Sequence, residues 1–405
     1  MRIALAHDFL IQFGGAERVL CAMHEIWPEA PVFTSIYDRS KIKNEKLKMK
    51  NWGIRSSCLD SFPPARWLTK YFTFLVPLAF EQFDLSKFDV VISSSANFAK
   101  GVITQPYQLH ICYCHTPPRF LYHYPTETNR RQHWFWGPIL KPLDNYLRIW
   151  DYCVAQRVDF FIANSKNVAA RIKKFYHKDA KVIYPPVDIR MSPNKNSPNE
   201  SEFIRTKNLE YSNSDGLGYY LVVSRLSKYK NVNLAIEASN RLKFPLKIVG
   251  VGREEKNLRK IAGPTVEFLG AVSDEELARL YTNCQAVIFS TQDEDFGIVP
   301  VEAMSFGKQV IALRSGGVLE SVIEGKAGVF FEKPVVESLV EVLRRFDTRR
   351  SLGRRRSIAL ATEREGGYQS SDCRKQAEKF SKERFQREIR EFVENRWQDF
   401  QLKRV

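Results

Sequence analysis

Long hydrophobic runs are missing from this sequence: no window of its 405 residues reaches the roughly eighteen uninterrupted apolar residues that a membrane-spanning helix needs. The start, "MRIALAHDFL", meets His7 and Asp8 after a short apolar run, so it reads as a buried first strand and not as a secretory signal. A cytoplasmic location is the expectation. The seven cysteines are an odd number scattered from Cys21 to Cys373, which excludes a simple disulfide framework and fits a reducing compartment. Acidic residues are also in deficit. With 46 Asp and Glu against 62 Lys and Arg, the surface attracts polyanions, whether nucleic acid, an anionic bilayer or a phosphorylated small molecule.

What is present is ordinary globular chemistry, with 44% hydrophobic residues and enough length for two domains. Short β-branched runs alternate with helical patterns: "RIALAH", "VFTSIY", "DVVISSS", "HICYCH", "DFFIANS" and "KVIYPP", then "YYLVVSR", "LKIVGVG", "VEFLGAV", "AVIFST" and "QVIALRS". Continuous apolar strands separated by helices predict parallel sheets buried on both faces, and two sets predict two doubly wound α/β domains. The Asn-, Ser- and Pro-rich stretch 191–218 reads as a linker or insertion between a domain over 1–190 and a second over 219–375. Residues 347–372 are basic and glycine-bearing, an irregular segment, and 376–405 has the spacing of a long terminal helix, expected to return to the first domain.

Several short patterns carry chemistry. Gly14 and Gly15 stand in "FLIQFGGAERVL", where a strand gives way to a helix. Paired glycines there let backbone N–H groups approach an anion, although an empty tight turn looks the same. Arg225 and Lys230 follow the strand "YYLVVS", at the carboxyl edge where open α/β sheets bind ligands, and two cations suit a diphosphate. "IVGVGREEKNL" has Gly250 and Gly252 but Glu255 where a dinucleotide fingerprint needs its third glycine, which argues against a nicotinamide cofactor. In "TQDEDFGIVPVEAMSFG", Gly297, Ile298 and Val299 open a helix whose first N–H groups suit a phosphate. Glu302 stands one turn inside to meet ribose hydroxyls, and Glu294 stands at the sugar end of the same elongated ligand. The D-x-D of residues 293–295 is too common a pattern to assign a metal. Cys112, Cys114 and His115, in C-x-C-H spacing, lack a second ligand pair; alternate positions of an inward strand face explain them, and no metal is expected.

The order of the pieces is more specific than any one of them. "GGAE", "CHTPPR", "IANSKNVAARIKKFY", "VIYPPVD", "SRLSKYKN", "FLGAVSDEELARLY", "EDFGIVPVEAMSFG" and "SGGVLESVIEGKAGVFF" together resemble the retaining glycosyltransferases of family 4, and "YCHTPPRFLY" resembles bacterial mannosyltransferases of polysaccharide assembly. The resemblance implies the GT-B fold, two Rossmann-like domains facing a deep cleft. It implies Arg225 and Lys230 on the diphosphate of a nucleotide-sugar, Glu302 on the ribose and Glu294 on the hydroxyls of the transferred sugar. Backbone at Gly297, Ile298 and Val299 would touch phosphate or sugar, with Gly14 and Gly15 closing from the other domain and His115 near the reacting carbon. Ser224 departs from the glycine usual at its position.

The implied activity is transfer of a hexose, mannose from GDP-mannose foremost, to a lipid-linked or polysaccharide acceptor, without cofactor or metal. The alternatives are a UDP-sugar with a soluble acceptor and a non-catalytic binder of a phosphorylated ligand. Nucleic acid is not an expected partner, because the basic residues form no recognised motif with aromatics. "PPARWLTKYFTFLVPLAF", residues 63–80, and "HWFWGPILKPLDNYLRIWDY" are aromatic and basic. They read either as helices packed on the core or as segments adsorbing to an anionic membrane, the inner face of the cell membrane for a cytoplasmic enzyme.

Overall fold

The computed structural model describes residues 1–38, 49, 52–61, 73–126, 136–189, 218–346 and 369–403. They form two compact units, one of residues 1–186 with 382–405 and one of residues 187–381. Each is a parallel sheet covered by helices.

The first unit begins with strand β1, Ile3–His7, and continues through β2 (Val32–Thr34), β3 (Ile54–Ser56), β4 (Val90–Ser95), β5 (Leu109–Cys114), β6 (Phe160–Ala163) and β7 (Ala180–Val182). The sheet order is β3-β2-β1-β4-β5-β6-β7. Every residue of β1 is buried, because alternate side chains enter different cores. Leu5 packs with Leu20, Ile92 and Ile111 on one face, while Ala4 and Ala6 meet Phe33, Phe80 and Val91 on the other. The C-terminal helix Lys382–Leu402 inserts Phe385, Ile389 and Val393, spaced by four, into the first of these cores.

The second unit is built from β8 (Tyr220–Val223), β9 (Leu246–Val249), β10 (Val266–Gly270), β11 (Ala286–Phe289), β12 (Gln309–Leu313) and β13 (Gly328–Phe331), in the order β10-β9-β8-β11-β12-β13. Val222, Ile248, Ile288 and Ile311 form its core with Val232, Ala235 and Ile236 of the helix Val232–Leu242. The helix Asp274–Asn283 starts where Ser273 accepts a hydrogen bond from the Glu276 N–H at 3.2 Å, and three acids occupy its first turn, where the helix dipole favours them.

Strands β3 and β13 are absent from the runs picked out in the sequence. Both lie at sheet edges, where "IRS" is largely exposed and "GVFF" begins with glycine, so neither shows the continuous apolar signature of a central strand. Where they are described, the two aromatic segments serve the core with one face only. In the helix Val76–Glu81, Val76, Ala79 and Phe80 are buried while Leu78 is exposed. In the helix Trp136–Arg157, Leu143, Leu147 and Trp150 pack inward while Tyr146, Ile149 and Tyr152 stand out. Arg66, Trp67, Lys70, Tyr71 and Phe72 lie outside the described residues, as do most of the two irregular segments, 191–217 and 347–368. No helix among the described residues is long and apolar enough to cross a membrane.

One buried carboxylate organises the carboxyl end of the first sheet. Asp8, immediately after β1, accepts four backbone N–H bonds: Ala96 and Asn97 donate to Oδ2 at 2.6 and 2.8 Å, and Phe98 and Ala99 donate to Oδ1, both at 2.7 Å. The turn after β4 is thereby tied to the end of β1. Asp8→Ala leaves these donors without a partner in a site water reaches poorly, so it should destabilise the first unit by about 3 kcal/mol or more. A denaturant midpoint equal to that of the unsubstituted chain would show that the carboxylate contributes nothing.

Candidate active site

An open parallel sheet places its ligand-binding edge at the carboxyl ends of the strands, where the winding direction reverses. In the second unit that reversal falls between β8 and β11. Lys230 follows β8 and Glu294 follows β11, and the structure brings them together, with Lys230 Nζ 2.5 Å from Glu294 Oε2. Both are partly buried, and the Lys230 ammonium also lies 5.0 Å from the Tyr229 ring centroid. The backbone is stitched across the same gap: Ser290 Oγ donates to the Lys230 carbonyl at 2.9 Å, and Asn231 Nδ2 donates to the Ser290 carbonyl at 3.3 Å.

Arg225 sits exposed two residues beyond β8. Its loop is held from below by "GVG". The Leu226 N–H donates to the Val251 carbonyl, and a Cβ on Gly250 would fall 1.9 Å from the Ser224 carbonyl oxygen. Gly250 and Gly252, which in the sequence read as an incomplete dinucleotide fingerprint, thus have a packing role.

Gly297, with φ of 88°, precedes the helix Ile298–Ser305, and no side chain caps its start. Pro300 has no N–H, so Ile298 and Val299 supply the free donors of this first turn. Glu302, half-buried on the same helix, accepts a hydrogen bond from Tyr281 Oη at 3.1 Å, and the Tyr281 ring stacks on Phe306 with centroids 5.3 Å apart. Tyr281 was not singled out from the sequence; nothing in "ARLYTN" marks it. Neither was the clamp that shapes 293–295. Ser315 Oγ accepts from the Asp293 N–H at 3.0 Å, and the Gly317 N–H donates to the Glu294 carbonyl at 2.8 Å. No group of three or more His, Cys, Asp or Glu able to hold a metal occurs among the described residues.

In the first unit the winding reverses between β1 and β4. His115 follows β5, with its N–H donating to the Ser95 carbonyl at 2.8 Å and its carbonyl accepting from Asn164 Nδ2 at 2.9 Å. Its Nε2 is 2.8 Å from Ser94 Oγ. Burial foremost, and then the neighbouring His7, push the His115 pKa down to about 3, so the ring is neutral at physiological pH. Gly14 precedes the helix Gly15–His24, and its N–H donates to Glu17 Oε2 at 2.7 Å. Cys112 and Cys114 are buried in β5 against Phe161, Val168 and Tyr176.

The geometry yields a test of the clamp. Gly316 has φ of 76°, and a Cβ there would fall 2.4 Å from the Glu294 carbonyl oxygen. Gly316→Ala should therefore strain the loop that carries Glu294 and destabilise the second unit by about 2 kcal/mol. An unchanged denaturant midpoint would rule out the close approach.

Comparison with known proteins agrees with this architecture. The profile described as Glycosyltransferase Family 4 matches residues 13–190, and that described as Glycosyl transferases group 1 matches residues 204–359. The chain is 25% identical over 424 residues to the alpha-1,3/1,6-mannosyltransferase ALG2 of Mus musculus, covering 94% of this chain and 93% of the relative. Among solved structures, Anabaena Alr3699/HepE in complex with UDP aligns with a TM-score of 0.68 at 18% identity, covering 98% of this chain and 100% of that one. Sucrose-phosphate synthase from Thermosynechococcus elongatus aligns with a TM-score of 0.71 at 14% identity, covering 98% and 100%. Two α/β units with polar residues at both switch points, matched by these two profiles in sequence order, make the chain a member of the family 4 glycosyltransferases, enzymes of the GT-B fold that transfer hexoses.

Proposed function

We propose that this enzyme moves mannose from GDP-mannose to a lipid-linked or polysaccharide acceptor with retention of anomeric configuration. The observation that carries the reading is the juxtaposition of Lys230 and Glu294 across the second unit's switch point, a cation and an acid at 2.5 Å on the edge where such sheets bind ligands. Similarity to a mannosyltransferase over nearly the whole chain supports the sugar. A relative of the fold bound to UDP supports a nucleotide donor and keeps a UDP-sugar as the second reading.

In this reading Arg225 and Lys230 bind the diphosphate, and Glu294, released from Lys230, accepts hydrogen bonds from sugar hydroxyls. Backbone at Gly297, Ile298 and Val299 meets phosphate or sugar, and Glu302, oriented by Tyr281, meets the ribose. Gly14 and Gly15 form the close-approach turn of the first unit, and His115 stands near the reacting carbon. The bond from the anomeric carbon to the diphosphate breaks as the sugar becomes oxocarbenium-like, and the cations stabilise the charge that develops on the leaving group. The acceptor hydroxyl then bonds to the same face of the sugar and its proton passes to the departing diphosphate. No protein nucleophile is needed, and Glu294, engaged with hydroxyls, is poorly placed to be one.

A panel of GDP-, UDP- and ADP-sugars, with and without EDTA, scored for free nucleoside diphosphate, tests donor and metal independence together. GDP release from GDP-mannose that persists in EDTA is the expected result. Preference for a UDP-sugar would move the assignment to the second reading, and activity restored only by Mg²⁺ or Mn²⁺ would replace the cationic mechanism with a metal-assisted one. Arg225→Ala and Lys230→Ala should each remove on the order of 3 kcal/mol of transition-state stabilisation while leaving the fold intact. Near-normal turnover in both would remove the donor-site assignment.

A lipid-linked acceptor would place the reaction at a membrane surface. The basic and aromatic residues of 63–72, together with the outward Tyr146, Ile149 and Tyr152, support adsorption of the first unit there. Wild type should co-sediment with anionic liposomes at low salt, and a variant carrying Arg66→Glu and Lys70→Glu should bind less. Wild type left in the supernatant would make a soluble acceptor the better reading.

A further inference from the structure

The first unit contains a line of polar side chains that begins well behind His115. Glu17, on the first turn of the helix Gly15–His24, is buried, with Oε2 taken by the Gly14 N–H and Oε1 3.8 Å from His7 Nε2. His7, the last residue of β1, is buried and has Nδ1 3.1 Å from Ser94 Oγ. Ser94, buried on β4, is in turn 2.8 Å from His115 Nε2.

The line has a direction, set at its anionic end. At 3.8 Å the Glu17–His7 contact is electrostatic and too long for a hydrogen bond. It still selects the tautomer, because a bare Nε2 lone pair facing a carboxylate is repelled, whereas an Nε2–H is attracted. With a proton on Nε2 and none on Nδ1, His7 has an acceptor at Nδ1. The Ser94 hydroxyl then donates to His7, and its oxygen is left to accept from His115. A neutral His115 that donates through Nε2 carries a lone pair on Nδ1.

We propose that Glu17, acting through His7 and Ser94, fixes His115 as its Nε2–H tautomer and so presents Nδ1 as a hydrogen-bond acceptor for a substrate hydroxyl. Glu17, His7 and Ser94 are positioning residues in this scheme. The role given to the acceptor rests on the transfer reading above; the tautomer itself does not. The family resemblance draws attention to His115 and takes in Glu17 within "GGAE", but it includes neither His7 nor Ser94 and assigns none of the three a hold on the imidazole.

Reversing the anionic end should reverse the line. In Glu17→Gln, the amide oxygen keeps the Gly14 N–H and the amide nitrogen faces His7. His7 then protonates at Nδ1 and donates to Ser94, and Ser94 donates to His115 Nε2, which moves the His115 proton to Nδ1. The readout is the ¹⁵N shift pattern of labelled histidine in the full chain, with His115 assigned by loss of its signals in His115→Gln. Wild type should show a single Nε2–H tautomer and Glu17→Gln predominantly Nδ1–H. Ser94→Ala, which cuts the line with a smaller and unstrained side chain, should show a mixture. The substituted chains should fold with kcat lowered about a hundredfold in Glu17→Gln and a donor KM near that of wild type.

A wild-type His115 that is Nδ1–H, or one whose tautomer is unchanged in both variants, overturns the proposal. So does a Glu17→Gln enzyme with switched tautomer and full kcat, which would show that the acceptor lone pair is not used. If wild type releases no nucleotide from any donor, the transfer reading fails on its own, and the tautomer series still decides whether Glu17 controls His115.

Discussion

A parallel sheet wound in two directions has one place where neighbouring loops diverge, and the polar architecture of each unit is anchored there. In the second unit the divergence separates β8 from β11, and in the first it separates β1 from β4. Strands buried on both faces have almost no room for polar side chains along their length, so charge accumulates where the strands stop. Lys230 and Glu294 on one sheet, and His7, Ser94 and His115 on the other, are consequences of that constraint. The glycines serve it as well, since Gly250 and Gly316 let two loops approach within distances a Cβ would forbid.

The fold class was legible because central strands announce themselves: a continuous apolar run such as "AVIF" is hard to place anywhere but between two layers of helix. Of the four edge strands, β7 and β10 were read, whereas β3, largely exposed, and β13, opening on glycine, carry no such signature and went unread for that reason. The site was legible in part. Glu294 and Glu302 could be placed at one helix start by spacing alone, and Arg225 and Lys230 at a strand end. Their partners could not. Ser94 lies 87 positions from His7, and Glu294 lies 64 from Lys230, so these contacts exist only once the sheet order is known. Tyr281, on the helix Asp274–Asn283, and Ser315, in the loop after β12, act on site segments from neighbouring elements and look unremarkable in sequence.

Electrostatically the two units differ in kind. The second offers a lysine, an arginine and a helix start without a side-chain cap, all suited to a ligand bearing phosphate. The first places neutral imidazole and hydroxyl groups at its edge and keeps its carboxylates, Asp8 and Glu17, turned toward backbone amides. Cations and an uncapped helix start thus stand at one sheet edge, and imidazole and hydroxyl groups at the other.

The four amides gathered around Asp8 show how that division is kept. Successive N–H groups converging at a strand end make a concavity that elsewhere receives phosphate. Here the chain has installed its own anion: a carboxylate carried by the preceding strand fills the concavity from within, and its charge is neutralised by donors that are no longer on offer. A nucleotide drifting toward this edge finds an anion-binding nest already tenanted. The first unit is in this sense a Rossmann-like sheet whose strand-end nest carries its own counter-ion.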